Sequence, residues 1–300
     1  FLYYNTLSST TYIIAMKNIF LFLIFFYFSL NAISQETVKD CDFCPEMVRI
    51  EPGKFTMGSS LEESGHTDEK PQREVNINYG FAVSKYEITY NVWDLCQNDG
   101  ACPKSDDAGF GRDNYPVINI SWNDANTFIS WLNKKSNQKY RLLTEAEFEY
   151  VARGGTTDIW YWGPPSRPEV ASQGSKDGCK FANLHDEDSK DVHFMYVWAN
   201  HPCRDGYPEN APVGQFKENP FGLFDILGNV REWVQDCHKE GYDGAPVNGS
   251  VRKHDGNCEA RVVRGGGWMD GPYTARAAYR YSEKEDMKNT MTGFRIAREI

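Results

Sequence analysis

Eight cysteines, Cys41, Cys44, Cys96, Cys102, Cys179, Cys203, Cys237 and Cys258, are the chemically most versatile side chains in this 300-residue sequence. A thiolate can attack, hold a soft metal or be oxidised, and its compartment and neighbours decide which. Cys41-x-x-Cys44 has half of a zinc ligand set, but no second close Cys or His pair stands ready to complete a tetrahedron. No strand-then-helix pattern surrounds it, which argues against a thioredoxin-like redox motif. In an exported chain an even number of cysteines is by default a set of disulfides. Eight cysteines admit about 105 pairings; sequence neighbours suggest Cys41 with Cys44, Cys96 with Cys102, Cys179 with Cys203 and Cys237 with Cys258.

Hard-oxygen chemistry has its own candidate. Ca2+ takes roughly six to eight oxygen donors from carboxylates and free carbonyls. Asp225, Gly228, Val230 and Glu232 fit that demand, since two carboxylates would bracket a turn with the Gly228 and Val230 carbonyls expected to face inward. The competing assignment is that these residues only cap turns, as Asn, Asp and Gly often do. Further along, Trp268, Asp270, Tyr273, Arg276 and Arg280 mix aromatic surface with charge, a combination suited to a small polar or peptidic ligand. The alternative there is structural, with Trp268 in the core and Asp270 paired to an arginine. The six histidines lie in loop-like stretches without the facial triad that iron would require. Neither a G-x-S-x-G elbow, a P-loop nor an H-E-x-x-H zinc motif is present, so hydrolase and nucleotide-driven chemistries lack support.

The elements that must position these residues are few. Residues 47–58 alternate apolar and polar side chains around a Pro-Gly turn, the pattern of a hairpin. Residues 75–88 carry strand-like patches, and Thr89 caps a short helix through Trp93 and Leu95 that ends near Asn98 and Gly100. Ser121 starts a helix with Ala125, Phe128, Ile129 and Leu132 at helical spacing. Thr144 and Glu147 form a capping box ahead of Phe148, Val151 and Ala152, and Gly154 and Gly155 stop that helix. From Tyr161 to Arg298 the chain is rich in Gly, Pro, Asn, Asp and Trp, with short strand-like pieces at residues 261–264 and 293–297 and no long helical period. No linker divides residues 47–299, so one domain is expected.

Composition narrows the class. A formal charge of -10 argues against a nucleic-acid partner, which needs clustered basic surface. Aromatics at 14% with 25 Gly and 14 Pro point to a loop-rich fold in which large rings supply the core. Met16 and Lys17 precede a ten-residue apolar run, too short to span a bilayer, and Ala32-Ile33-Ser34 follow as a small-residue end. Residues 1–34 therefore read as a signal peptide, with residues 1–15 as a non-native leader ahead of the first methionine. Residues 35–46 form a short N-terminal segment and 47–300 the domain. The expected location is secreted or periplasmic, with no stable membrane span after cleavage.

An ordered series of segments resembles the formylglycine-generating enzyme (sulfatase-modifying factor) family. It includes Met47-Val-Arg-Ile-Glu-Pro-Gly-Lys-Phe-Thr-Met-Gly58, Tyr86-Glu-Ile-Thr89, Pro116-Val-Ile-Asn-Ile-Ser-Trp-Asn-Asp-Ala125 and the block from Arg141 to Gly155. The stretch from Asn219 to Trp233, Arg261-Val-Val-Arg-Gly-Gly-Gly-Trp268 and Gly293-Phe-Arg-Ile-Ala297 complete it. The resemblance implies an α+β fold, related to C-type lectins, with low regular secondary structure and structural Ca2+. It places the Asp225 set on one calcium site and maps a second onto the side chains of Asn183 and Asp205 and the carbonyls of Leu184 and Tyr207. The family's reaction oxidises a substrate cysteine to formylglycine on copper held by two thiolates. Here Asp270 stands at the first thiolate position, the second falls near Thr274, Gly267 replaces the usual serine, and no cysteine follows Cys258. No copper and no formylglycine production are therefore expected. Two functions remain open: a divergent oxidoreductase or maturation factor, as relatives in siderophore maturation and sulfoxide synthesis suggest, or a non-catalytic calcium-stabilised binding or scaffold module of the cell envelope. A peptide, protein or small polar ligand suits either.

Overall fold

The computed structural model of the chain describes residues 36–61, 63, 65–163, 174–252, 256 and 258–300. The expected signal peptide and leader lie outside the described residues, which belong to one unit, Glu36–Ile300. Helix α1 (Tyr90–Asn98) follows Thr89. Helix α2 (Trp122–Ser136) opens on a reciprocal cap: Asp124 N donates to Ser121 Oγ at 3.1 Å and Ser121 N to Asp124 Oδ2 at 2.9 Å. Its buried face carries Phe128, whose ring stacks on Trp93 of α1 at 5.6 Å. Helix α3 (Glu145–Arg153) opens the same way through Thr144 and Glu147 and stops at Gly154 in the left-handed region. All nine α3 residues are buried, so its charged side chains need partners. Glu149 binds Arg153 and Arg264, and Glu145 binds Arg280. Helix α4 (Glu187–Val192), capped by Asp186, is six residues long, too short to show a helical period in sequence.

Eleven short strands build three sheets among the described residues. They are β1 (Thr37–Val38), β2 (Met47–Ile50), β3 (Gly53–Met57), β4 (Arg73–Ile77), β5 (Phe81–Ser84), β6 (Tyr140–Leu142), β7 (Arg231–Cys237), β8 (Arg261–Arg264), β9 (Tyr281–Glu283), β10 (Thr292–Gly293) and β11 (Ile296–Glu299). The first sheet runs β1-β2-β5-β11-β6, the second β10-β7-β8-β9 and the third β3-β4. In the first, Ala297 of β11 lies between Val83 of β5 and Arg141 of β6.

Two expectations need correction. The strands at 47–50 and 53–57 exist, but they do not pair as a hairpin: β2 joins β5, and β3 joins β4. The Pro52-Gly53 step moves the chain from one sheet to another under α3, where a Cβ on Gly53 would lie 2.2 Å from Tyr150 Oη. Residues 293–297 are likewise not one strand; β10 and β11 belong to different sheets, separated by buried Phe294 and Arg295. All four disulfides join the sequence neighbours that were expected, and no free cysteine remains. Among the described residues no helix is long and apolar enough to cross a membrane.

Candidate functional site

Strand β7 positions two sites at once. Successive strand residues face opposite sides of a sheet, so Arg231 and Glu232 enter different surroundings. Glu232 faces inward, where both its oxygens accept from Arg295 Nε at 2.8 and 2.9 Å. Asp225 lies beside it in the turn before β7. Its Oδ2 accepts from Gly214 N at 2.7 Å, while its buried Oδ1 has no hydrogen-bond partner. Burial raises the pKa of Asp225 to about 6. Burial likewise raises Glu232 to about 7, against the pull of Arg295. A third buried carboxylate, Glu87, is pushed up by burial and by the charges of Asp225 and Glu232. The turn between the two carboxylates needs left-handed backbone at Asp225, Gly228 and Asn229. At Gly228 a Cβ would meet the Asn183 carbonyl at 2.3 Å, so only glycine passes there. The structure thus brings Asp225, Gly228, Val230 and Glu232 into one short turn-and-strand segment. An excess of buried negative charge with an orphaned carboxylate oxygen fits a hard divalent cation.

Asn183, Leu184, Asp205 and Tyr207 also come together. Three oxygens converge on the buried Asn183 amide nitrogen: Asp205 Oδ2 at 3.3 Å, the Tyr207 carbonyl at 3.1 Å and the Glu209 carbonyl at 3.0 Å. The Asn183 Oδ1 is left without a partner. Leu184 N and Tyr207 N donate to the Asp205 carboxylate at 3.1 and 2.8 Å. Burial and neighbouring Asp186 raise the pKa of Asp205 to about 8. Oxygens gathered round one amide donor are a donor set that a cation, with the amide turned to present Oδ1, would also satisfy. Cys179 Sγ lies within 4.8 Å of the Asp186 and Asp205 oxygens, but its disulfide with Cys203 removes it as a thiolate ligand.

On the other side of β7, Arg231 clamps Asp270 through Nε and Nη2, both at 2.6 Å. Asp270 also accepts from Gly267 N at 2.9 Å and from Thr274 Oγ1 at 3.1 Å. The Arg231 guanidinium lies 4.3 Å from the Tyr281 ring centroid. This pair forms part of the lining of a groove of about 410 Å³ with walls that include Trp198, Tyr273, Tyr281 and Met291. Of the five expected pocket residues, Asp270 and Tyr273 line the groove. Trp268 is buried, its ring packed on Phe110 and His193. Arg276 is buried against Glu63 and Glu69, and Arg280 against Glu145. Both arginines secure the loop before β9 instead of facing the groove. Arg231 and Trp198 were missed because both are remote in sequence from Asp270, whereas Tyr281 directly follows the expected Arg280 and was passed over as the first residue of β9. The alternation of β7 carried a signal for Arg231, had that strand been recognised.

The fold, the glycine-rich turn before β7 and the block after Gly265 can now be set beside known proteins. Residues 34–300 match the sulfatase-modifying factor enzyme 1-like domain. The chain belongs to the sulfatase-modifying factor family. It is 26% identical over 310 residues to the formylglycine-generating enzyme of Mus musculus, covering 84% of this chain and 74% of that one. It is 34% identical over 194 residues to the formylglycine-generating enzyme of Streptomyces coelicolor, covering 63% of this chain and about half, 54%, of that one. The solved structure of PvdO from Pseudomonas aeruginosa superposes with a TM-score of 0.74 at 31% identity, covering 89% of this chain and 98% of that one. The α+β, loop-rich architecture is therefore that of the family. Within it, this member places an Asp270–Arg231 ion pair in its groove and holds every cysteine in a disulfide.

Proposed function

We propose that this chain is an exported, calcium-stabilised sulfatase-modifying factor family member that binds a small polar or peptidic substrate in the Asp270 groove and does not make formylglycine. In this reading it is a divergent oxidoreductase or maturation factor. The observation that carries it is the state of Asp270: the residue at the expected first thiolate position is a carboxylate saturated by Arg231, Gly267 and Thr274. A soft copper ion has no sulfur ligand there. The groove is lined by Trp198, Tyr273 and Tyr281 beside the Arg231–Asp270 pair, a mostly apolar lining with a few polar groups, the composition of a ligand site. Ca2+ would be held by Asp225 and Glu232 with the Gly228 and Val230 carbonyls, and a second ion by Asn183 and Asp205 with the Leu184 and Tyr207 carbonyls. Each would supply charge neutralisation and loop order.

A second reading, a non-catalytic binding module, is favoured by the mutual neutralisation of Arg231 and Asp270, which leaves neither free for proton transfer. Metal analysis of the purified mature protein separates the two. Stoichiometric iron supports the oxidoreductase; calcium alone, with peptide or glycan binding and no turnover, supports the binder. A sulfatase peptide incubated with the protein, copper and oxygen should show no aldehyde by mass spectrometry, and a clear product would overturn both.

A further inference from the structure

The carboxylate of Glu87 lies at the centre of a contact set that the four expected ligands do not account for. Glu87 precedes α1 and is 142 residues from the turn it touches. Its Oε2 accepts from the Asn229 side-chain amide at 2.7 Å and its Oε1 from Val230 N at 3.1 Å. Asn229 and Val230 are the two residues between Gly228 and the start of β7. Asn229 has left-handed backbone, with φ of 56°, which needs external support in a residue other than glycine. Its side-chain Oδ1 accepts from Ala211 N at 2.9 Å. The Glu87 carboxylate therefore clamps the peptide on one side, and the orientation of the carbonyls on either side depends on that clamp.

Charge gives Glu87 a second role. Glu87, Asp225 and Glu232 are all buried, and Arg295 donates to Glu232 and to the Phe224 carbonyl next to Asp225. Three carboxylates against one guanidinium leave a formal excess of two negative charges in a dry space, the charge of one divalent cation. The unpartnered Asp225 Oδ1 marks where such an ion would find an empty acceptor. Glu87 also lines a separate pocket of about 550 Å³ together with Tyr86, Thr89, Asn91 and Val213.

We infer that Glu87 is a positioning residue of the divalent-ion site at Asp225 and Glu232, fixing the Asn229-Val230 peptide and completing the charge that one Ca2+ neutralises. The inference rests on the proposed calcium role of that cluster. Hydrogen-bonded partners of metal ligands typically contribute about 10- to 100-fold in metal affinity. Calorimetric titration of chelator-stripped protein with CaCl2 tests it, comparing the wild type, Glu87→Gln and a control, Asp236→Asn, which alters a buried carboxylate bound to Glu145 N and Arg252 N. Expected are a loss of about 10- to 100-fold in calcium affinity for Glu87→Gln and an unchanged affinity for the control. Should Glu87→Gln fail to fold, Asn229→Ala, which removes the other partner of Glu87, is titrated in its place with the same expectation. Equal affinities in wild type and variant would overturn the role of Glu87 while leaving the calcium site standing. A wild type that binds no calcium would overturn both.

Discussion

The Asn183 carbonyl accepts a hydrogen bond from Asn229 N at 2.8 Å, so the two oxygen-rich clusters meet at a single peptide contact. Asn183 belongs to the Asp205 cluster, and Asn229 lies between Gly228 and Val230 of the Asp225 cluster. An ion that orders one loop therefore stiffens the backbone from which the other draws its carbonyls. Calcium binding to the two clusters is expected to be positively coupled. Asp205→Ala should weaken binding at the Asp225 cluster by about 5-fold, within the usual range of coupling between sites. Titration of the variant with Ca2+ checks this; an unchanged remaining affinity would show the sites to be independent.

Removing calcium is expected to lower the melting temperature of the wild type. At an ion concentration 1,000 times the dissociation constant, binding to the folded state alone contributes about 4 kcal/mol. Scanning calorimetry with and without a chelator measures the shift, and superimposable transitions would refute it.

The Arg231 and Asp270 side chains are nearly enclosed, 11% and 6% exposed. Asp270→Ala leaves a buried guanidinium without its counter-charge and should cost about 3 kcal/mol or more in urea unfolding. The double change Arg231→Met with Asp270→Leu should recover most of that loss, because both charges leave together. A single variant as stable as the wild type would contradict the pairing.

His201 is buried, and burial lowers its pKa from an ordinary 6.5 to about 4. The unfolded chain therefore takes up a proton between those values while the folded one does not. The contribution of His201 to stability is complete above pH 6.5 and is lost as pH falls towards 4, at up to about 1.4 kcal/mol per pH unit. His201→Asn should reduce the loss between pH 7 and 4.5 by about 2 kcal/mol relative to the wild type. Denaturant melts across that range decide it, and parallel curves would rule His201 out.

Loop length orders the disulfides. Cys179–Cys203 closes a sequence separation of 24 and Cys41–Cys44 one of only 3. On the chain-entropy account, converting the long-loop pair to serines should cost about 2 kcal/mol more than converting the short-loop pair. Comparing the two double-serine variants in guanidinium is the check.

How much of this was legible in sequence follows from range. The caps at Ser121 and Thr144 and the four neighbouring cysteine pairs are local, so residue type and spacing carried them. The partners of β2 and β3 are not local: a Pro-Gly step reads as a hairpin whether its strands pair with each other or with strands further along. Glu87 was invisible as a companion of Asp225 because 142 residues separate it from Asn229. Arg276 and Arg280 looked like pocket residues because charge normally signals exposure. Their carboxylate partners come from residues 63, 69 and 145, which no spacing rule links to them.

Strand β11 is inserted between β5 and β6, whose paired residues are made 154 to 218 positions earlier (296 minus 142 and 299 minus 81). A growing polypeptide cannot complete that sheet until residue 299 has been synthesised, and the stretch that contains β11 also delivers Arg295 to Glu232. The sheet thus stays open between β5 and β6 until β11 is available. Premature termination anywhere upstream of residue 295 would leave an open sheet and an unneutralised acidic cluster, so shortened products should be proteolysed and not accumulate as partial folds.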